Sequence, residues 1–178
     1  MARHVVLLRG INLGSRNRVP MPKLRELLEE AGFEGVRTYL QSGNAVLSST
    51  KKADEVARAC RRAIGDSLGL DLDVLVRSRA QLAAIVKRNP LGKVATNPKR
   101  YQVTFLAKKP PGGLAATLEE LAVESERVVV SGREIYAWHP DGVARSKLWA
   151  LLGGRDLGVT ATSRNWTTVT SLLELAQE

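Results

Sequence analysis

Tyr39-Leu40-Gln41-Ser42-Gly43-Asn44-Ala45-Val46-Leu47 and, much later, Val128-Val129-Val130-Ser131-Gly132-Arg133-Glu134-Ile135-Tyr136 are two versions of one phrase. Each is an apolar run, a Ser-Gly turn and a second alternating run, the pattern of a β-hairpin. A second echo sets Val74-Leu75-Val76-Arg77-Ser78-Arg79 against Leu157-Gly158-Val159-Thr160-Ala161-Thr162-Ser163-Arg164, where a short apolar stretch reaches Ser-Arg and opens a helical pattern. The chain therefore reads as one plan laid down twice.

Working outward from the first hairpin gives the order of that plan. Val5 to Arg9 reads as a buried strand, followed by the polar loop Gly10 to Arg18. Val19-Pro20-Met21-Pro22 opens a helix, because Pro is favoured near the first helical position, and Leu24, Leu27, Leu28 and Ala31 follow at core-facing spacing. After the hairpin come a helix over about Ala53 to Leu68 and a strand over Leu72 to Val76. Ser78 caps a further helix that Asn89-Pro90 stops.

The second half repeats the order. Tyr101 to Leu106 is a strand, Leu114 to Leu121 a helix, Lys147 to Leu152 a short helix and Leu157 to Ala161 a short strand. Ser163 is expected to cap a terminal helix carrying Trp166, Val169 and Leu172. The expected fold is α+β, with two ferredoxin-like β-α-β-β-α-β subdomains, each followed by an extra helix. The first is expected over 1–90, a connection over 91–100 and the second over 101–178.

Composition fits that fold and narrows the function. A chain of 178 residues, 44% hydrophobic and 25% charged, is ordinary globular material with enough apolar residues for one good core or two small ones. Met1-Ala2-Arg3-His4 runs directly into an apolar strand too short for a signal peptide or a membrane span, so a cytoplasmic protein with no membrane partner is expected. The single Cys60 suits a buried thiol in a reducing compartment. The net charge of +9 is shared evenly, +4 over residues 1–78 and +5 over 79–178, with no basic arm. Such a field favours an anionic partner.

The stretches Leu8-Arg9-Gly10-Ile11-Asn12-Leu13-Gly14 with Val19-Pro20-Met21, Tyr39-Leu40-Gln41-Ser42-Gly43-Asn44, and Ala161-Thr162-Ser163-Arg164-Asn165-Trp166-Thr167-Thr168-Val169 together resemble the bacterial family called domain of unknown function 1697. The likeness spans almost the whole chain and implies a pair of ferredoxin-like domains. It brings no activity and no catalytic residues.

A candidate site follows from topology. In a β-α-β-β-α-β layer the loop after the first strand and the turn between the second and third lie at one end. That end collects Arg9, Asn12, Arg16, Asn17 and Arg18 with Gln41, Ser42 and Asn44, donors almost without carboxylates. Glycines 10, 14 and 43 let backbone approach a ligand, and N–H groups with Arg forks are what phosphate or carboxylate recognition needs. Each Gly, Asn or Ser taken singly is also ordinary turn chemistry. Arg145 and Lys147, opening one short helix, and Ser163-Arg164-Asn165, opening the last, are secondary anion candidates at helix N-termini. There, capping by Ser163 or Thr162 and anchoring by Trp166 give a purely structural account.

Enzyme signatures are not found. There is no Gly-x-Ser-x-Gly elbow, phosphate-binding Gly-Lys loop or dinucleotide fingerprint, His4 and His139 do not read as metal ligands, and the carboxylates are scattered. No cofactor and no metal are expected. The leading reading is binding of a phosphorylated or otherwise anionic small molecule. The alternative is a nucleic-acid-binding module using the same basic end, and the third is a structural partner protein. RNA-recognition domains share this layer but stack bases on strand aromatics, which Val5 to Leu8 and Ser42 to Ser48 lack.

Overall fold

Ala2–Leu8 forms β1, and His4 through Leu8 are all buried, which is how a strand covered on both faces reads as a continuous apolar run. The structure, a computed structural model, describes residues 1–178. β1 leads to α1 (Met21–Glu30), whose buried Met21, Leu24, Leu27 and Leu28 return the chain along the sheet. β2 (Glu34–Tyr39) and β3 (Asn44–Ser49) make the first hairpin. α2 (Ala53–Leu68) follows and ends at Gly69, whose left-handed φ of 65° lets its N–H cap Gly65 O. β4 (Val74–Ser78) and α3 (Arg79–Arg88) complete the first copy.

The first sheet has the order β2-β3-β1-β4, and every neighbouring pair is antiparallel. β5 (Tyr101–Leu106), α4 (Leu114–Leu121), β6 (Arg127–Ser131), β7 (Glu134–Trp138), α5 (Lys147–Gly153), β8 (Ala161–Asn165) and α6 (Trp166–Gln177) build the second copy. Its order, β6-β7-β5-β8, is the same arrangement, again antiparallel throughout. The protein is thus α+β with two ferredoxin-like subdomains.

One core gathers Val6, Leu8, Leu24, Leu47, Cys60 and Ile64, where α1 and α2 cover the first sheet. Another gathers Leu106, Leu118, Ile135, Leu148 and Leu152. The chain divides into two compact units, Met1–Ala84 with Ser171–Glu178, and Ile85–Thr170, so the division falls inside α3 and inside α6. No helix is long and apolar enough to cross a membrane.

Three expectations are corrected. The fourth strand begins at Val74, not Leu72, and runs to Ser78. The last strand is Ala161–Asn165, not Leu157–Ala161, because pairing with β5 sets it: Leu106 faces Ala161 and Gln102 faces Asn165. Leu157, though apolar, is buried as a loop residue, and the polar Thr-Ser-Arg-Asn run becomes strand by pairing despite its weak propensity. Ser163 is consequently a strand residue and caps nothing; Asn165 Oδ1 accepts the Thr168 N–H at 2.9 Å and starts α6. The second echo slips by two positions, aligning Arg77 opposite Val5 with Arg164 opposite Val103.

Candidate functional site

The loop leaving β1 is held by its own asparagines. The Asn12 N–H donates to Asn17 O at 3.1 Å, Asn17 Nδ2 donates to Gly10 O at 3.2 Å, and Leu13 bridges Arg16. Asn12 and Asn17 take positive φ values of 54° and 50°, a conformation that asparagine tolerates better than other side chains. The Asn12 carboxamide then joins three segments: Nδ2 donates to Val19 O at 2.9 Å and to Gln41 O at 2.7 Å, while Oδ1 accepts the Val19 N–H at 2.8 Å. The β1–α1 loop and the β2–β3 turn therefore meet, as the topology requires.

Across the turn, the Leu8 N–H donates to Gly43 O at 2.8 Å. Asn44 is fully buried, and its Nδ2 donates to Tyr39 O and Ser42 Oγ, each at 2.9 Å. Gly43, at φ 84°, has its missing side chain's place taken by protein: a Cβ there would sit 2.8 Å from Leu8 Cβ and Ile11 Cδ1. Its smallness serves packing rather than a ligand's approach, whereas Gly10 and Gly14 face open space.

The structure thus sorts the first-rank residues into two groups. Arg16, Arg18, Gln41 and Ser42 are exposed and Arg9 is half-buried, while the side chains of Asn12 and Asn44 are engaged with the protein. Residues 9–20 and 39–47 contain no Asp or Glu. Asp73 comes near through its carbonyl, which accepts the Arg9 N–H at 3.0 Å, but its carboxylate and that of Asp71 lie 3.7 and 2.7 Å from Arg61. Leu13 and Leu40 are 73% and 55% exposed and flank the Asn12–Gln41 contact.

The secondary candidates lie elsewhere. Arg145 and Lys147 are exposed on either side of Ser146, whose Oγ caps α5 by accepting the Trp149 N–H at 3.0 Å. Ser163 Oγ shares a 2.7 Å hydrogen bond with Thr104 Oγ1. Arg164 is buried, its Nη1 donates to Thr162 Oγ1 and Ser163 O at 2.7 and 2.8 Å, and burial pulls its guanidinium down to about 10. The helix N-terminus expected at Ser163-Arg164 is therefore the interior of β8, since the helical dipole end begins only after Asn165.

Sequence reading missed one constellation. His139, fully buried with Trp149 edge-on at 5.8 Å, pairs through Nδ1 with the Glu126 carboxylate, which also accepts from Ser146 Oγ at 2.6 Å. Burial alone would raise Glu126, but hydrogen bonds from Ser146, His139 and the Val123 N–H outweigh it and hold the carboxyl below its usual range. The trio has the residue types of a nucleophilic triad without its geometry. Ser146 gives its proton to the acid, and His139 Nε2, the atom a nucleophile would need, is buried with no partner. It acts as a clamp holding the start of α5 to the residue before β6. The His-Pro-Asp-Gly turn and the Ser146 cap were visible signals, but Glu126 lies 13 positions away and reads as surface. No group of three or more His, Cys, Asp or Glu is placed to hold a metal ion.

Comparison with known proteins adds a family and a fold. The family model described as "Protein of unknown function (DUF1697)" matches residues 1–136. No curated protein matches the sequence. A solved structure, the conserved bacterial protein SP0830 from Streptococcus pneumoniae, superposes with a TM-score of 0.77 over 98% of both chains at 20% identity, which marks a shared fold.

Proposed function

Because the chain belongs to the DUF1697 family, whose name assigns no activity, we propose from its own surface that the first unit binds an anionic small molecule where the β1–α1 loop meets the β2–β3 turn. Arg9, Arg16, Arg18, Gln41 and Ser42 are the contact residues, and Asn12 and Asn44 hold the frame that presents them. Arg forks match the paired oxygens of phosphate or carboxylate, and the absence of acidic residues from both segments leaves that charge to the ligand.

The observation that carries the reading is backbone strain. Four residues other than glycine have positive φ, and three of them, Asn12, Asn17 and Leu40, stand at this end. Leu40, at φ 59°, has no side-chain compensation for the left-handed conformation. Strain of this kind costs about 1–3 kcal/mol per residue and concentrates at ligand clamps. The exposed Leu13 and Leu40 add an apolar surface beside the arginines, which favours a ligand with a flat or apolar portion as well as a charge, such as a nucleoside phosphate.

A polymer is less well served. A nucleic-acid track needs a continuous basic stripe. Arg61 is taken up by Asp71 and Asp73, and Lys51, over the Phe33 ring at 5.9 Å, follows the end of β3 that pairs with Ala2, away from the loop.

The test is calorimetric titration and thermal melting with nucleoside phosphates, pyrophosphate, dicarboxylates and short RNA oligomers at low and physiological salt. A nucleoside phosphate is expected to raise the melting temperature by mass action. Arg16→Ala and Arg18→Ala each weaken binding about tenfold, the loss of roughly one charged contact, with the unliganded melting temperature unchanged. Response to oligomers alone, with steep salt dependence, would establish the nucleic-acid reading instead.

A further inference from the structure

Arginines gather a second time in the first unit, at the opposite end of β1. Arg3 lies beside Gly35 and Ser48, Arg37 leaves β2, Arg25 comes from α1 and Arg79 opens α3; together they line an open cavity of about 560 Å³. Five residues of β1 separate Arg3 from Arg9, so at about 3.3 Å per residue the two ends are roughly 20 Å apart.

Two of the four positive charges are already matched. Arg25 Nε pairs with Glu29 at 2.9 Å, and Arg37 pairs with the side-chain carboxylate of Glu178. Arg3 is differently placed. Its Nη1 donates to Gly35 O and Ser48 Oγ at 3.1 and 3.2 Å and its Nη2 to Leu175 O at 3.3 Å, all neutral oxygens, while its Nε is buried with no partner. Arg79 is exposed at the mouth. Burial pulls the Arg3 guanidinium down, and the charges of Arg37 and Arg79 pull it further, against the opposing charge of Glu178.

We propose that this cavity is a second binding site, for a phosphoryl dianion carried on a small molecule, with Arg3 and Arg79 as the groups that receive it. Two uncompensated guanidinium groups call for a double negative charge. A carboxylate, which carries one, already sits on Arg37 in the form of Glu178. The volume falls within the range of small-molecule pockets and exceeds what a bare phosphate fills, so the remainder of the molecule has room beside Ser48 and Gly35. Glu178 is a resident competitor: its carboxylate neutralises Arg37 and offers repulsion to an incoming phosphoryl group.

The probe is inorganic pyrophosphate, titrated calorimetrically into protein carrying Arg16→Ala and Arg18→Ala, which together weaken the loop site about a hundredfold. Binding is expected to persist in that background. Adding Arg79→Gln, at an exposed position with no structural partner, is expected to weaken it tenfold or more with the melting temperature unchanged. Adding Glu178→Gln instead is expected to tighten it several-fold. No binding in the background, or binding indifferent to Arg79→Gln, overturns the proposal, as does a Glu178→Gln variant that binds no better. The loop reading fails or stands separately, on whether the intact protein loses affinity through Arg16 and Arg18.

Discussion

Gly43 sits where a single methyl group has no room. Its φ of 84° and the 2.8 Å approach that a Cβ would make to Leu8 Cβ add left-handed strain to overpacking, so Gly43→Ala is expected to cost about 2–4 kcal/mol in urea unfolding. Cys60 shows the opposite case, a residue made inert by its surroundings. Burial pushes its thiol up to about 12, so a disulfide reagent at pH 8 should leave the native protein untouched and react once denaturant is added. Two other buried groups set the response to acid. Burial lowers His4 below its ordinary 6.5, and neither ring nitrogen has a hydrogen-bond partner, so below that pH the unfolded chain takes up a proton that the folded chain refuses. Stability therefore falls as pH drops under 6.5. Glu126 is held below its ordinary 4.5, so its contribution is present above that pH and is lost as pH falls through the lower folded value. Equilibrium unfolding followed against pH should show both declines, and His4→Leu should abolish the upper one alone.

Helices α3 and α6 begin in equivalent places by different means. Ser78 Oγ accepts the Gln81 N–H at 3.1 Å while Gln81 Oε1 accepts the Ser78 N–H at 2.8 Å, a reciprocal box; Asn165 caps α6 with its side-chain oxygen. Ser78→Ala and Asn165→Ala should each cost about 1 kcal/mol by chemical denaturation. Only the first cap was legible, because Ser-x-x-Gln stands next to an apolar strand, whereas Asn165 closes a strand written in polar letters. α2, α4 and β5 could be bounded from sequence to the residue, since Gly69, Gly113 and the apolar alternation of Tyr101 to Leu106 mark them. The meeting of the β1–α1 loop with the β2–β3 turn was legible too, because strand order alone dictates it. Which side chains it leaves facing outward was not: Asn12, on left-handed backbone, and Asn44, at the start of β3, turn inward to backbone carbonyls that no spacing rule encodes. The Glu126–His139–Ser146 clamp and the arginine cavity were hidden for a related reason, as each gathers residues from separate elements.

For the molecule as a whole, duplication explains paired features that function need not. Arg77 and Arg164 occupy the same buried register in β4 and β8, and each β1-like strand is flanked by the same neighbours in both copies. The candidate anion sites break that symmetry, since both arginine groups belong to the first unit. That unit is not one continuous stretch, because Ser171–Glu178 supplies Leu175 O to Arg3 and the Glu178 carboxylate to Arg37. A fragment of residues 1–90 should accordingly show a lower melting temperature by circular dichroism than the first unit shows within the full chain, or fail to fold. On the ribosome the same arrangement becomes a matter of timing. The strands of the first sheet emerge early, but the segment that completes them is synthesised after the entire second unit, a wait of roughly 5–20 s at ordinary elongation rates. During that interval the nascent first sheet must be sheltered by chaperones or by its own partial order.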